Sequence, residues 1–263
     1  MPDQVRRLGV MTTHGRPEVV GEARRRLEEA AVAAGIEVGS VEDGGLDVLV
    51  VLGGDGTMLR ALRATLGTQT PVFGINFGRV GFLTTVGSGR LDAALQRAFA
   101  GDYRVVELCT LEARLDDATQ PAVNDVVVTS SHPGRMAELG WEIDGERLAD
   151  QPCDGMICCT PSGSTAYNLS SGGPVMMWGL EAMATTFVAP HSVRQRPVVV
   201  PRGLDLRITN RSHGLPVTVL VDGTVVGELQ REGEIAVAVG DEHCRLAVLP
   251  EVTFFSRYHE VFP

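Results

Sequence analysis

Val48-Leu49-Val50-Val51-Leu52-Gly53-Gly54-Asp55-Gly56-Thr57 decides the fold of this chain, because an unbroken apolar run gives way at once to a glycine-rich turn. A run of that kind suits a parallel strand covered on both faces, and the helical stretch Met58 to Leu66 follows it directly. The same order recurs on either side. Leu8 to Thr12 precedes Glu18 to Ala34, whose polar face is rich in Arg and Glu, and Val72 to Ile75 precedes Leu91 to Phe99. Three such units predict an open doubly wound α/β domain over residues 1–103.

From about Val105 the helical periodicity fades. Short β-rich runs take over: Val123 to Thr129, Met156 to Cys159, Val198 to Val200, Val217 to Val221 and Ile235 to Val239. Asp144-Gly145 and Asp222-Gly223 are two-residue hairpin signals. The expected organisation is an α/β domain (1–103), a mostly-β domain (104–250) and a tail (251–263) able to return to the first domain. Residues 130–134 read as a flexible connection inside the β half.

At 263 residues with 44% hydrophobic side chains, the chain can build substantial cores. Its net charge of −10 argues against nucleic acid or an anionic membrane as partner, since both are held by clustered cations. No apolar run approaches the ~18 residues of a membrane span, and no signal-peptide core precedes the first charged segment. The five cysteines show no zinc or redox spacing and suit a reducing compartment, so the expected location is the cytoplasm. All 23 basic residues are arginine. Without lysine, a P-loop lysine and Schiff-base or pyridoxal chemistry are excluded.

Gly53-Gly54-Asp55-Gly56-Thr57 stands at the carboxyl end of a parallel strand and at a helix start, where open sheets bind ligands. Glycines there let backbone N–H groups approach phosphates, and the helix N-terminus adds favourable partial charge. A carboxylate beside polyphosphate is repelled unless a cation or a donor hydroxyl intervenes, so Asp55 is expected to touch a metal or a substrate hydroxyl. Taken alone, the run is equally well read as a tight turn with Thr57 near a helix N-cap. Asn76 to Leu83 supplies a second glycine-bearing loop after the next strand, so two loops would line one crevice.

In the β half, Asp154-Gly155 leads through Met156 to Cys159 into Thr160-Pro161-Ser162-Gly163-Ser164-Thr165-Ala166-Tyr167-Asn168-Leu169-Ser170-Ser171-Gly172-Gly173. Hydroxyls and amides this dense can satisfy a purine edge and ribose hydroxyls, with Tyr167 as a flat amphipathic surface. A Ser/Gly loop capping a short helix from Ser164 is the plainer alternative.

These motifs, with Asn124-Asp125 and Pro190-His191-Ser192-Val193 before Arg196-Pro197, resemble those of NAD kinases in order and spacing, most closely over residues 46–201. The Gly-Gly-Asp-Gly run is shared with diacylglycerol-type lipid kinases and phosphofructokinases, whereas Thr-Pro-Ser-Gly-Ser-Thr-Ala-Tyr is far more specific. The resemblance implies a kinase that moves the terminal phosphoryl group of ATP, or polyphosphate, to the adenosine ribose 2′-hydroxyl of NAD, giving NADP.

Asp55 would take the hydroxyl proton. Gly53, Gly54, Asp55, Gly56 and Thr57 would carry the phosphate donor with Mg2+, no side chain being assigned as a direct metal ligand. Gly56, Asn124, Asp125, Asp154, Thr165, Ala166, Tyr167, Asn168, Leu169, Ser170 and Ala189 would hold the dinucleotide, and Asp222 is a further candidate, although Asp-Gly hairpin geometry alone explains it. A homodimer or homotetramer is implied as well.

The chain departs from the family pattern in three places. Asp125 stands where glutamate is usual, Met176 to Gly179 replaces a stretch with proline, and Gln151-Pro152-Cys153 lacks a basic residue. The alternatives are a lipid or sugar kinase sharing the Gly-Gly-Asp-Gly loop, against which the Ser/Thr-rich run speaks, and a non-catalytic dinucleotide sensor, which would be expected to lack Asp55.

Overall fold

The computed structural model describes residues 5–13, 15, 17–78, 81–132 and 134–262. His14, Arg79-Val80 of the second glycine loop and Pro133 of the expected connection lie outside the described residues. The chain divides into two compact units, one from Met1–Glu107 with Cys244–Pro263, the other from Leu108–His243.

The first unit opens with β1 (Arg7–Thr12), α1 (Pro17–Ala33), β2 (Glu37–Gly39), β3 (Val48–Gly53), α2 (Asp55–Ala64), β4 (Val72–Asn76), β5 (Val86–Gly87) and α3 (Leu91–Phe99). Its parallel strands lie in the order β2-β1-β3-β4, and β5 pairs the end of β4. All of β3 is buried because helices cover both of its faces. Val48, Val50 and Leu52 pack with Val20, Ala23, Leu27 and Ala31 of α1 and with Leu91, Leu95 and Ala98 of α3. Leu49 and Val51 alternate to the other face. On the α2 side, a β-carbon on Gly74 would stand 2.6 Å from Sδ of Met58, so only glycine lets this helix lie so close to β4. This is the doubly wound arrangement expected from the sequence.

The second unit is a β-sandwich. Its strands are β6 (Arg104–Leu115), which enters from the first unit, β7 (Ala118–Ala122), β8 (Asp125–Ser130), β9 (Ala137–Ile143), β10 (Glu146–Cys153), β11 (Gly155–Cys159), then the single-turn α4 (Tyr167–Ser170), β12 (Ala182–Val188), β13 (Val198–Pro201), β14 (Leu206–Asn210), β15 (Val217–Val221), β16 (Thr224–Leu229) and β17 (Glu234–Val248), which leaves it. One sheet runs β13-β12-β11-β8-β15-β16, antiparallel throughout. A second contains β10-β9-β14 and the first half of β17. Val126, Val128, Met156, Cys158 and Val219 of one sheet meet Leu111, Leu139, Trp141, Ile208 and Val237 of the other in a single core. Both Asp-Gly pairs turn hairpins as read, with φ of 51° and 77° at Asp144-Gly145 and 48° and 77° at Asp222-Gly223.

The chain then returns to the first unit, where Leu246 and Ala247 of β17 pair with Val72 and Phe73 of β4 in parallel. It ends in α5 (Phe254–Val261), begun by a capping box between Thr253 and Ser256. No helix among the described residues is long and apolar enough to cross a membrane.

Candidate active site

Gly53 closes β3 and Gly54 is the N-cap of α2, which makes Asp55 the first helical residue. Thr57 lies inside the helix and 5% exposed, packed under the turn so tightly that a β-carbon on Gly53 would stand 2.5 Å from its Oγ1. It is the third helical residue, near the N-cap Gly54 as the turn reading has it. No side chain caps this helix start.

The Asp55 carboxylate is held by the segment that follows the second glycine loop. Its Oδ2 accepts the N–H of Phe82 at 2.6 Å, while Oδ1 accepts the N–H groups of Leu83 and Thr84 at 3.1 Å and the Thr84 hydroxyl at 3.2 Å. Gly81 permits this approach, since a β-carbon there would fall 2.2 Å from Oδ1. A carboxylate offers about four lone-pair positions, two on each oxygen. With three donors crowding Oδ1 and one on Oδ2, the room for a further donor is on Oδ2.

The two glycine-bearing loops are neighbours. Phe77 N–H bonds the carbonyl of Gly53 at 3.0 Å, and a β-carbon on Gly78 would lie 3.7 Å from Cα of Gly54. Asn76 Oδ1 accepts the Gly78 N–H at 2.7 Å and fixes the turn. A cleft of about 280 Å³ opens beside them, lined by Asn76, Gly78, Thr84, Thr85, Arg257 and Glu260 among others.

In the second unit, the residues 123–125 and the Ser/Thr-rich run meet at one end of the six-stranded sheet. The hydroxyls of Thr160 and Ser162 both donate to the carbonyl of Val123, at 2.7 and 2.9 Å. Gly163 packs on the Asn124 backbone, where a β-carbon would stand 2.0 Å from the carbonyl oxygen. Ser164 donates to the carbonyl of Pro161 and accepts the Met176 N–H at 2.9 Å. Asn168 is fully buried: its amide donates to the carbonyls of Ser164 and Pro174, and its oxygen takes the Thr186 hydroxyl at 2.6 Å. Many polar groups of the run thus build the loop itself. What faces outward is Tyr167, 47% exposed, with Ser170 exposed and Thr165, Ala166 and Leu169 half-buried.

Asn124 Oδ1 is buried without a hydrogen-bond partner, an acceptor awaiting a donor. Asp125 is 7% exposed, and burial, then the charge of Asp222, pushes its carboxyl up to about 6. Asp222 itself accepts the N–H groups of Val123, Asn124 and Asp125 at 3.0, 2.7 and 3.2 Å. Its side chain shapes the loop that carries Asn124, a role that the hairpin signal does not reveal.

Asp154 and Ala189 lie at the opposite end of β11 from this cluster. Asp154 is exposed, its N–H bonding Val188, while Ala189 follows β12 at a φ of +45°, in the left-handed region that costs a non-glycine residue about 1–2 kcal/mol. At about 3.3 Å per residue, Asp154 and Thr160 are roughly 20 Å apart. All five cysteines are buried thiols.

Family models of the ATP-NAD kinase N-terminal domain and C-terminal domain match residues 16–103 and 123–249. The chain is 38% identical over 269 residues to the NAD kinase of Heliobacterium modesticaldum, covering 94% of this chain and 95% of that one. It is 33% identical to the NAD kinase of Thermomicrobium roseum, over 98% and 91% of the two chains. Among solved structures, an NAD kinase from Archaeoglobus fulgidus in complex with ATP superposes with a TM-score of 0.79 at 28% identity, covering 97% of each chain. A yeast NADH kinase complexed with NADH shares the fold, with a TM-score of 0.85 at 24% identity over 98% of this chain and 88% of that one. By its motifs, its two units and these relatives, the chain belongs to the NAD kinase family.

Proposed function

We propose that the chain transfers the terminal phosphoryl group of ATP to the 2′-hydroxyl of the adenosine ribose of NAD, with Asp55 receiving that hydroxyl. The single observation that carries this reading is the Asp55 carboxylate itself, clamped by Phe82, Leu83 and Thr84 with acceptor capacity left on Oδ2. A carboxylate is too weak a base to strip a ribose hydroxyl in advance. In a loose phosphoryl-transfer transition state, it orients the hydroxyl and takes its proton late.

Gly53, Gly54, Gly56 and Thr57 complete the phosphate-donor loop at the start of α2, where amides and the helix dipole favour an anion. Among the described residues, no three His, Cys, Asp or Glu side chains gather to hold a cation. We infer that Mg2+ arrives on the ATP phosphates, mostly water-ligated, where it would neutralise charge on the transferring group.

For the dinucleotide, Asn124 Oδ1 suits the amino group of a purine, and Asp125, Thr165, Ala166, Tyr167, Leu169 and Ser170 offer amides, hydroxyls and a flat ring around it. Asn168 shapes that loop from within. Asp154 and Ala189 would serve a more distant part of the ligand. The free, buried cysteines suit work in the cytoplasm, and a homodimer or homotetramer is the assembly we infer.

Purified protein with NAD, ATP and Mg2+ should yield NADP, read by an NADP-specific dehydrogenase; inorganic polyphosphate and NADH are the donor and acceptor to compare. General-base catalysis is worth about 10²- to 10⁴-fold, so Asp55→Asn should lose turnover by that order while keeping NAD affinity. Turnover at the wild-type level in that variant would remove Asp55 from the role.

A further inference from the structure

We propose that Arg257 of α5 is a positioning residue for phosphoryl transfer, acting on Asp55 through the peptide that joins Gly81 to Phe82; this rests on the reading of Asp55 given above. Arg257 is 3% exposed, deeper than any other charged residue among those described. A buried guanidinium is costly unless its hydrogen bonds are well spent. Here one terminal nitrogen pairs with Glu260 and the other donates to the carbonyl of Gly81.

The first residue of the same helix and its C-cap, Phe262, grip the other side of that peptide. Phe82 packs its ring against Phe254 at 5.2 Å and, stacked, against Phe262 at 6.2 Å. A peptide unit is planar and rigid, so fixing the Gly81 carbonyl fixes the direction of the Phe82 N–H. That N–H is the 2.6 Å donor to Oδ2 of Asp55, the oxygen with room for a substrate hydroxyl. A cation on the carbonyl also polarises the peptide and strengthens its N–H as a donor. The relay is Arg257 to carbonyl, across one amide, to the carboxylate. Every part of it lies within the first unit.

The test is a double-mutant cycle on the full-length protein. Arg257→Met keeps the bulk and removes the donor. The expected result is a kcat about 10- to 100-fold lower with a KM for NAD within about threefold, in a protein whose thermal melt shows it folded. In the Asp55→Asn background the same substitution should cost less than about twofold, because the oxygen it positions no longer acts. Arg257→Lys should recover part of kcat, and the Phe82 amide proton resonance should move with kcat across the series.

A folded Arg257→Met enzyme with wild-type kcat would overturn the proposal, as would a loss that persists undiminished in the Asp55→Asn background. If Arg257→Met does not fold, Arg257→Lys carries the same cycle, with a several-fold loss of kcat expected and none overturning the idea. The Asp55→Asn arm separates the two readings. Full activity there refutes the role of Asp55, whereas an inactive Asp55→Asn enzyme beside an unaffected Arg257 variant refutes only the relay.

Discussion

Oδ1 of Asp222 accepts the backbone N–H of Asn124 at 2.7 Å, joining residues 98 apart in the chain. The same carboxylate takes the N–H groups of Val123 and Asp125, so one hairpin side chain sets the backbone of the loop that offers Asn124. Each part-buried donor left without an acceptor costs about 1–3 kcal/mol, less where water reaches it. Asp222→Ala should therefore destabilise the protein by roughly 2–4 kcal/mol and raise the KM for NAD about tenfold, with a smaller effect on kcat. Asp222→Asn, which keeps one oxygen, should fall between. Urea unfolding and steady-state kinetics measure both; an alanine variant with unchanged KM would show that Asp222 is only a turn residue.

Asp125 makes stability fall as pH rises. Its carboxyl is pushed from the ordinary 3.8 up to about 6, first by burial and then by Asp222, so the native state holds the proton more tightly than the unfolded chain. Unfolding releases that proton between about pH 4 and pH 6. The contribution is fully present below about pH 4, declines through that window and is gone above about pH 6, a change on the order of 3 kcal/mol. Asp125→Asn should accordingly be more stable than the parent at pH 7.5 and equal to it near pH 4. A stability difference that does not vary with pH would contradict the assignment.

How far the sequence could be read depended on burial. β3 was legible because every one of its residues is covered, and α1 because Val20, Ala23, Leu27 and Ala31 repeat at helical spacing. The three-residue β2 and the mostly exposed β10 carry little apolar alternation, and α5 buries only Arg257, so none of them announces itself by periodicity. The site shows the same division. Glycines, Asp55 and the Ser/Thr-rich run could be picked out by type. Their partners could not, because the amides of Phe82, Leu83 and Thr84 that hold Asp55, and those of Val123 and Asn124 that hold on to Asp222, belong to the backbone that every residue shares.

The cysteines should be inert in the native protein. Burial pushes the thiols of Cys109 up to about 11 and of Cys153 and Cys159 up to about 12, and raises Cys158 as well, while all five are buried. The reactive species is the thiolate, which these environments suppress. An aromatic disulfide reagent at pH 8 should modify few thiols over minutes and all five in denaturant. Rapid loss of one thiol in the folded enzyme, with loss of activity, would reveal an exposed conformer at odds with this packing.

Gly81 gives the sharpest steric prediction. A β-carbon there would stand 2.2 Å from Oδ1, 2.4 Å from Cγ and 2.7 Å from Oδ2 of Asp55, so the methyl group and the carboxylate cannot both keep their places. Either the acid turns away from the Phe82, Leu83 and Thr84 amides or the segment retreats from it. Overpacking of this kind costs about 1–3 kcal/mol, and a displacement near 1 Å at a reacting group costs about 10²-fold in rate. Gly81→Ala should therefore lose roughly that much in kcat, with NAD binding, measured by ligand-detected titration, nearly intact. Gly21→Ala on α1, where nothing lies within 4 Å, is the matched control and should keep full activity with a stability gain of about 0.5–1 kcal/mol. If both variants turn over normally, the carboxylate does not need the position that Gly81 leaves open, and its hydrogen bonds to residues 82–84 are not what readies it for the ribose hydroxyl.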